Sequence, residues 1–178
     1  MKSGKGFSDR VEKWLARIPA VHTYREREHR RETDKHLREG VASRLQEARS
    51  QLTHAILHLS QKGQYDSLEE LDRLSSRIQQ MADTIRYASY GYAGIFDLEK
   101  IREEELDRLY SIDLSLLDDL EGLQAKVAEL DSPTPPEKGK STAEEAFYIL
   151  DGLEKKFRRR NDLIVSPPDP VTKNKAIE

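Results

Sequence analysis

Residues 41–59 read VASRLQEARSQLTHAILHL, and in them Val41, Leu45, Ala48, Leu52, Ala55 and Leu59 recur at alternating steps of four and three. That spacing places every apolar side chain on one stripe of an α-helix, the seam along which helices pack against one another. No stretch of the chain alternates apolar and polar residues convincingly with period two, so the reading for the whole is all-α. Projected backwards, the same register puts Arg38, Asp34, Arg31 and Arg27 on the seam. A seam of charges buries no apolar surface. The segment YREREHRRETDKH is therefore expected to project from the bundle as an exposed or partner-bound helix, held by opposite charges three and four residues apart.

Downstream, KGQYDS supplies a turn, and Ser67 with Glu70 forms a capping-box pattern. The second helix then carries Leu71, Leu74, Ile78, Met81 and Ile85, again at 3-4 spacing, to about Tyr87. The loop YASYGYAGIFD follows, and Asp97 can cap a third helix that runs to Leu130. Its stripe is Leu109, Ile112, Leu116, Leu120, Leu123, Val127 and Leu130, in which the step from Leu116 to Leu120 reads as a stutter. Residues 131–142, with three prolines, read as a linker. Thr142 and Glu145 offer a second capping box for a last helix over 143–164, with Ala146, Ile149, Leu150, Leu153 and Phe157 on one side and the basic run KKFRRR at its end. Residues 165–178 form a proline-containing tail.

Upstream, residues 1–19 form a separate amphipathic segment that Pro19 closes. Phe7, Val11, Trp14, Leu15 and Ile18 share a face, and residues 1–18 carry net +3. The expected architecture is an elongated antiparallel bundle of three main helices over 20–130, plus the C-terminal and N-terminal helices.

Composition bounds the function. The 178 residues are 35% charged and 36% hydrophobic, with net charge −3 and no Cys. Bulk charge pulls toward neither nucleic acid nor anionic lipid, and the lack of thiols excludes disulfides and thiolate metal sites. No apolar run approaches the ~20 residues that span a bilayer, and the start MKSGKGFSDRVEKW has no apolar h-region. A cytoplasmic protein, or one peripheral at the inner face of the membrane, is expected.

Candidate sites are few. His22, His29 and His36 lie on one helix face, but their first and third members stand about 21 Å apart along the axis. His54 and His58 form an i, i+4 pair that lacks a third zinc ligand. Glu26 and His29 supply half of a di-iron Glu-x-x-His motif, with no second half in the chain. Serines occupy no nucleophile elbow. No catalytic residue, cofactor or metal is expected. Ten acids against three bases between Asp97 and Glu121 make an acidic helix onto which Lys155–Arg160 could dock, within the chain or between copies. Tyr87, Tyr90, Tyr92 and Phe96 in the Tyr/Gly loop either plug the end of the bundle or face a partner; the adjoining acids disfavour base stacking on nucleic acid.

The string DTIRYASYGYAGIFD, followed by EEELDRLYSIDLSLLDDLE, resembles a group of bacterial helical proteins, a likeness that implies a helical fold and no activity. An amphipathic N-terminal helix, a proline and a long charged helix are also similar in plan to membrane-remodelling coiled coils of the phage-shock-protein-A type, although the hairpin here is much shorter.

The leading expectation is a non-enzymatic interaction or scaffold module. It would contact protein partners, a second copy among them, through Trp14, Tyr87, Tyr90, Tyr92, Phe96, Arg27, Arg30, Arg31, Arg158 and Arg159. The alternatives are an adaptor anchored on an anionic membrane by residues 7–18 and an enzyme with a site at Tyr87–Asp97. Nucleic acid is not an expected partner.

Overall fold

The computed structural model describes residues 30–88, 103–131 and 136–165, and the side chains of 34–88, 108–130 and 139–164 among them. These residues form four helices: α1 (Arg30–Gln61), α2 (Leu68–Arg86), α3 (Glu103–Asp131) and α4 (Pro136–Val165). At 1.5 Å per residue α1, α3 and α4 are each about 44–48 Å long, while α2 reaches only about 28 Å. No strand occurs among the described residues.

Two antiparallel hairpins, α1/α2 and α3/α4, lie side by side. Helix α1 packs on α2 and α3, and α4 packs on α3 and α2. Asp34 near the start of α1 meets Asp113 in the first half of α3 through Arg160 of α4, so α1 and α3 run the same way. Pairing of Glu70 with Lys140 and of Arg77 with Glu154 makes α2 and α4 parallel as well. The architecture is an elongated four-helix bundle, and the last helix is an equal member of it.

The hairpin turn follows from Gly63. Its φ of +72° ends α1 in the left-handed conformation that glycine adopts without steric cost. Gln64 N–H donates to Leu59 C=O and Gly63 N–H to Ser60 C=O, each at 3.0 Å, which closes a Schellman motif.

The capping box expected at Ser67 and Glu70 does not form. Ser67 makes no side-chain cap hydrogen bond, and it is buried instead against α4. A Cβ built on Gly139 would stand 2.8 Å from Ser67 Oγ, so the two helices meet where α4 has no side chain. Glu70, the expected partner in the capping box, lies 3.9 Å from Lys140.

Helix α4 also begins earlier than the proline content suggests. Proline is tolerated in the first helical turn, where its missing N–H would have no intrahelical partner. Pro136 therefore opens the helix, and 136–142 is helical, not linker. Thr142 is buried within α4 and caps nothing, while Glu145 reaches Lys126 of α3 at 2.7 Å.

The core is continuous across all four helices. Leu45, Leu52, Leu71, Leu74, Ile78, Leu116, Leu120, Leu123, Leu150 and Leu153 are at most 1% exposed. Each such side chain contributes roughly 1.5–3 kcal/mol relative to leaving it in water.

The stripe on α3 needs one correction. Its seam is Leu109, Asp113, Leu116, Leu120, Leu123, Val127 and Leu130, an unbroken 4-3 alternation beside which Leu117 is also buried, while Ile112 is half-buried on the flank. No stutter is present. The irregularity comes from assigning the seam to the apolar neighbour of an aspartate that in fact faces inward.

Candidate interaction surfaces

Three helices each carry one charged residue on an otherwise apolar seam, and the fold brings all three into one layer. Arg160 of α4 is fully buried; its Nη2 lies 2.7 Å from Asp34 Oδ1 of α1, and its Nε donates to Asp113 Oδ1 of α3 at 2.6 Å. Arg38 Nε donates to the other oxygen of Asp34 at 3.0 Å, and Arg38 Nη1 donates to the carbonyl of Arg86 at 3.4 Å. Two guanidinium groups and two carboxylates alternate, so the chain Arg38–Asp34–Arg160–Asp113 is charge-balanced.

The register that places Asp34 on the seam is therefore right, and its consequence is the reverse of the one expected. The start of α1 does not project as a charged rod at this level, because α3 and α4 cover it with complementary charge. Leu37, one turn along, is 2% exposed.

The basic end of α4 docks on the acidic helix within the chain. Besides Arg160, Lys156 Nζ lies 2.7 Å from Asp119 of α3 and donates to the carbonyl of Ser115 at 3.3 Å. Farther along the same interface Lys126 lies 2.7 Å from Glu145 and 3.1 Å from Glu129. Hydrogen bonds from Lys126, first to Glu145 and then to Glu129, hold its ammonium above the usual lysine range.

The remaining expected contact residues divide by location. Tyr87 ends α2 and is 73% exposed. Arg158 and Arg159 are exposed on α4, Arg158 paired with Glu154. Arg30 and Arg31 open α1, with side chains outside the described set. Trp14, Arg27, Tyr90, Tyr92 and Phe96 lie outside the described residues, as do the amphipathic segment and nearly all of the Tyr87–Asp97 loop.

Between α2 and α4 runs a groove of about 360 Å³, floored by Met81, Leu150 and Phe157. Its floor is already covered, since those three side chains are 5%, 1% and 4% exposed. Across its top Arg77 reaches Asp151 at 2.8 Å and Glu154 at 3.1 Å. The groove is a seam bridged by ion pairs, with little apolar surface to offer a ligand.

The outer face of α1 is different. From residue 43 to 61 its exposed side chains are Ser43, Glu47, Ser50, Gln51, Thr53, His54, Leu57, His58 and Gln61, and Glu47 is the one full charge among them with His neutral. Leu57 is 56% exposed. His36, His54 and His58 all face outward. Among the described residues, no group of three or more His, Asp or Glu side chains could hold a metal ion, and no helix is long and apolar enough to cross a membrane.

This outer face went unrecognised in the sequence because His54 and His58 attract attention as a metal pair. The available signal is a second 3-4 rhythm, Glu47, Gln51, His54 and His58, about 110° around the helix from the core seam.

No protein-family model, curated protein or solved structure matches the chain.

Proposed function

We propose that the protein is a non-enzymatic helical interaction module whose docking face is the outer side of α1. The observation that carries this reading is the contrast between helix exteriors. The exposed side chains of α4 are mostly ionic, including Lys140, Glu144, Asp151, Lys155, Arg159 and Asp162, whereas those of α1 from 43 to 61 are serines, glutamines, histidines, a threonine and a leucine with the single carboxylate of Glu47. Depletion of charge is the compositional mark of an interface core, because desolvating an unpaired ion costs several kcal/mol.

A second support is where the buried charge goes. The constellation that most resembles reactive chemistry, Asp34, Asp113 and Arg160, is sealed within the bundle and occupied with itself. Tyr87, exposed at the end of α2, provides a further contact point of the kind expected for the Tyr/Gly loop.

Site-specific photo-cross-linking tests the reading. A benzophenone side chain at position 54 should capture protein in the native cell, while the same probe at Tyr148, 83% exposed on α4, should not. Equal capture at both positions, or none at position 54, would refute a docking face on α1.

A further inference from the structure

Glu47, Gln51, His54 and His58 step by four, three and four residues along α1, and all four are exposed. The core seam, about 110° around the same helix, has the same rhythm. A helix with two such stripes can pack in two directions, inward on its own bundle and outward on another helix. We propose that the outward partner is a second copy of α1, lying antiparallel about a two-fold axis midway between positions 47 and 58. This names the partner of the docking face assigned above and rests on that assignment.

The face is complementary to itself. Across a two-fold axis residue i meets j wherever j meets i. Antiparallel pairing about that midpoint sets Glu47 opposite His58 of the second copy and Gln51 opposite His54 of the second copy, each pair occurring twice. The lone carboxylate of the face thus meets an imidazole N–H, and the glutamine amide meets a ring that can donate or accept. Parallel pairing would instead set Glu47 against Glu47, like charge against like charge.

Steric fit points the same way. Leu57, 56% exposed, falls over Ser50 of the second copy, whose short side chain leaves room for it. The charged exterior of α4 has no comparable arrangement. The helical contact from Ser43 to Gln61 is about 27 Å long and one helix wide. That is less than the ~800 Å² per partner of a standard-size interface, so association is weak and concentration-dependent.

The chain has no Cys, so introduced thiols report only on themselves. Chains carrying Glu47→Cys and His58→Cys, tagged to differ in size, are mixed and oxidised as concentration rises. The expected product is the mixed disulfide, about tenfold over either like pair, because identical positions stand about 16 Å apart along the axis in the antiparallel register. Like-pair products in excess would overturn the antiparallel register. Cross-linking no greater than that of a Ser76→Cys chain, on the exterior of α2, would overturn self-association on this face.

Sedimentation equilibrium of the unmodified chain supplies an independent reading. Leu57→Glu, an exposed change that leaves the core seam untouched, should weaken self-association at least tenfold; an unchanged association constant would overturn the inference. Should copies fail to associate while the position-54 probe still captures a different protein, the second-copy inference falls and the docking face stands. Loss of both results removes both.

Discussion

Arg160 and Arg77 are the same residue type in opposite circumstances. Each holds two carboxylates, Asp34 and Asp113 for Arg160 and Asp151 and Glu154 for Arg77, at distances between 2.6 and 3.1 Å. Arg160 is fully buried, while the side chain of Arg77 is 42% exposed. In water-rich surroundings an ion pair is screened and its side chains must be ordered to form it, so its net contribution is small. In the interior the groups have lost their hydration, and removing one partner strands the others. Contact geometry is therefore a poor guide to energetic weight in this bundle, and burial decides it.

Breaking the buried layer should have the largest effect. Arg160→Ala removes the guanidinium that the buried Asp34 and Asp113 share, and a loss of about 3–5 kcal/mol is expected in urea-induced unfolding followed by circular dichroism. A loss below about 1 kcal/mol would mean that water reaches the layer. Leu120→Ala, fully buried in α3, sets the scale for apolar damage at about 2–5 kcal/mol. The informative variant is the combined Asp34→Leu, Arg38→Met, Asp113→Leu and Arg160→Met, because Arg38 shares Asp34 with Arg160. With all four charges of the layer replaced, it should recover most of the loss or exceed the parent, since well-packed apolar substitutes for buried ion pairs are often neutral or stabilising. If this combined variant is as unstable as Arg160→Ala, the layer contributes attraction beyond its desolvation cost. At the surface, Arg77→Ala should cost only about 0.2–1 kcal/mol by the same denaturation measurement.

This contrast also explains what could be read from the amino-acid order. The seams of α1 and α2, the turn at Gly63 and the inward faces of Leu116 to Leu130 follow from apolar periodicity, because there polarity and burial agree. The heptad register extends to Asp34, and strict continuation on α3 and α4 selects Asp113 and Arg160. Yet each helix taken alone makes its charged seam position look like the end of the packed region. Only the juxtaposition of three helices shows that the charges cancel, and juxtaposition is a tertiary fact. Pro136 misleads for a local reason, since the residue that stops a helix in its interior can also start one. The outer face of α1 is legible as a spacing pattern, but its low charge becomes meaningful only beside the densely ionic exterior of α4.

The smallest expected effect lies on the α3–α4 surface and separates screened pairs from buried ones by pH. Lys126 is held above its usual value of 10.5 by Glu145 and Glu129. A group whose pKa is raised on folding binds its proton more tightly in the native state. The resulting stabilisation is fully present below the unfolded value and is lost as pH climbs through the raised folded value. Lys126→Met should therefore lower Tm slightly and evenly at neutral and mildly alkaline pH. The gap from the parent should narrow as pH rises above 10.5. Salt should close it as well, because both partners of Lys126 are more than half exposed and an ionic atmosphere screens them. Arg160→Ala should show neither dependence, since guanidinium does not titrate in this range and the buried layer is beyond the reach of salt. A Lys126→Met gap that persists in salt and at high pH would show that the aliphatic stem, and not the charge, holds α3 to α4 at that point.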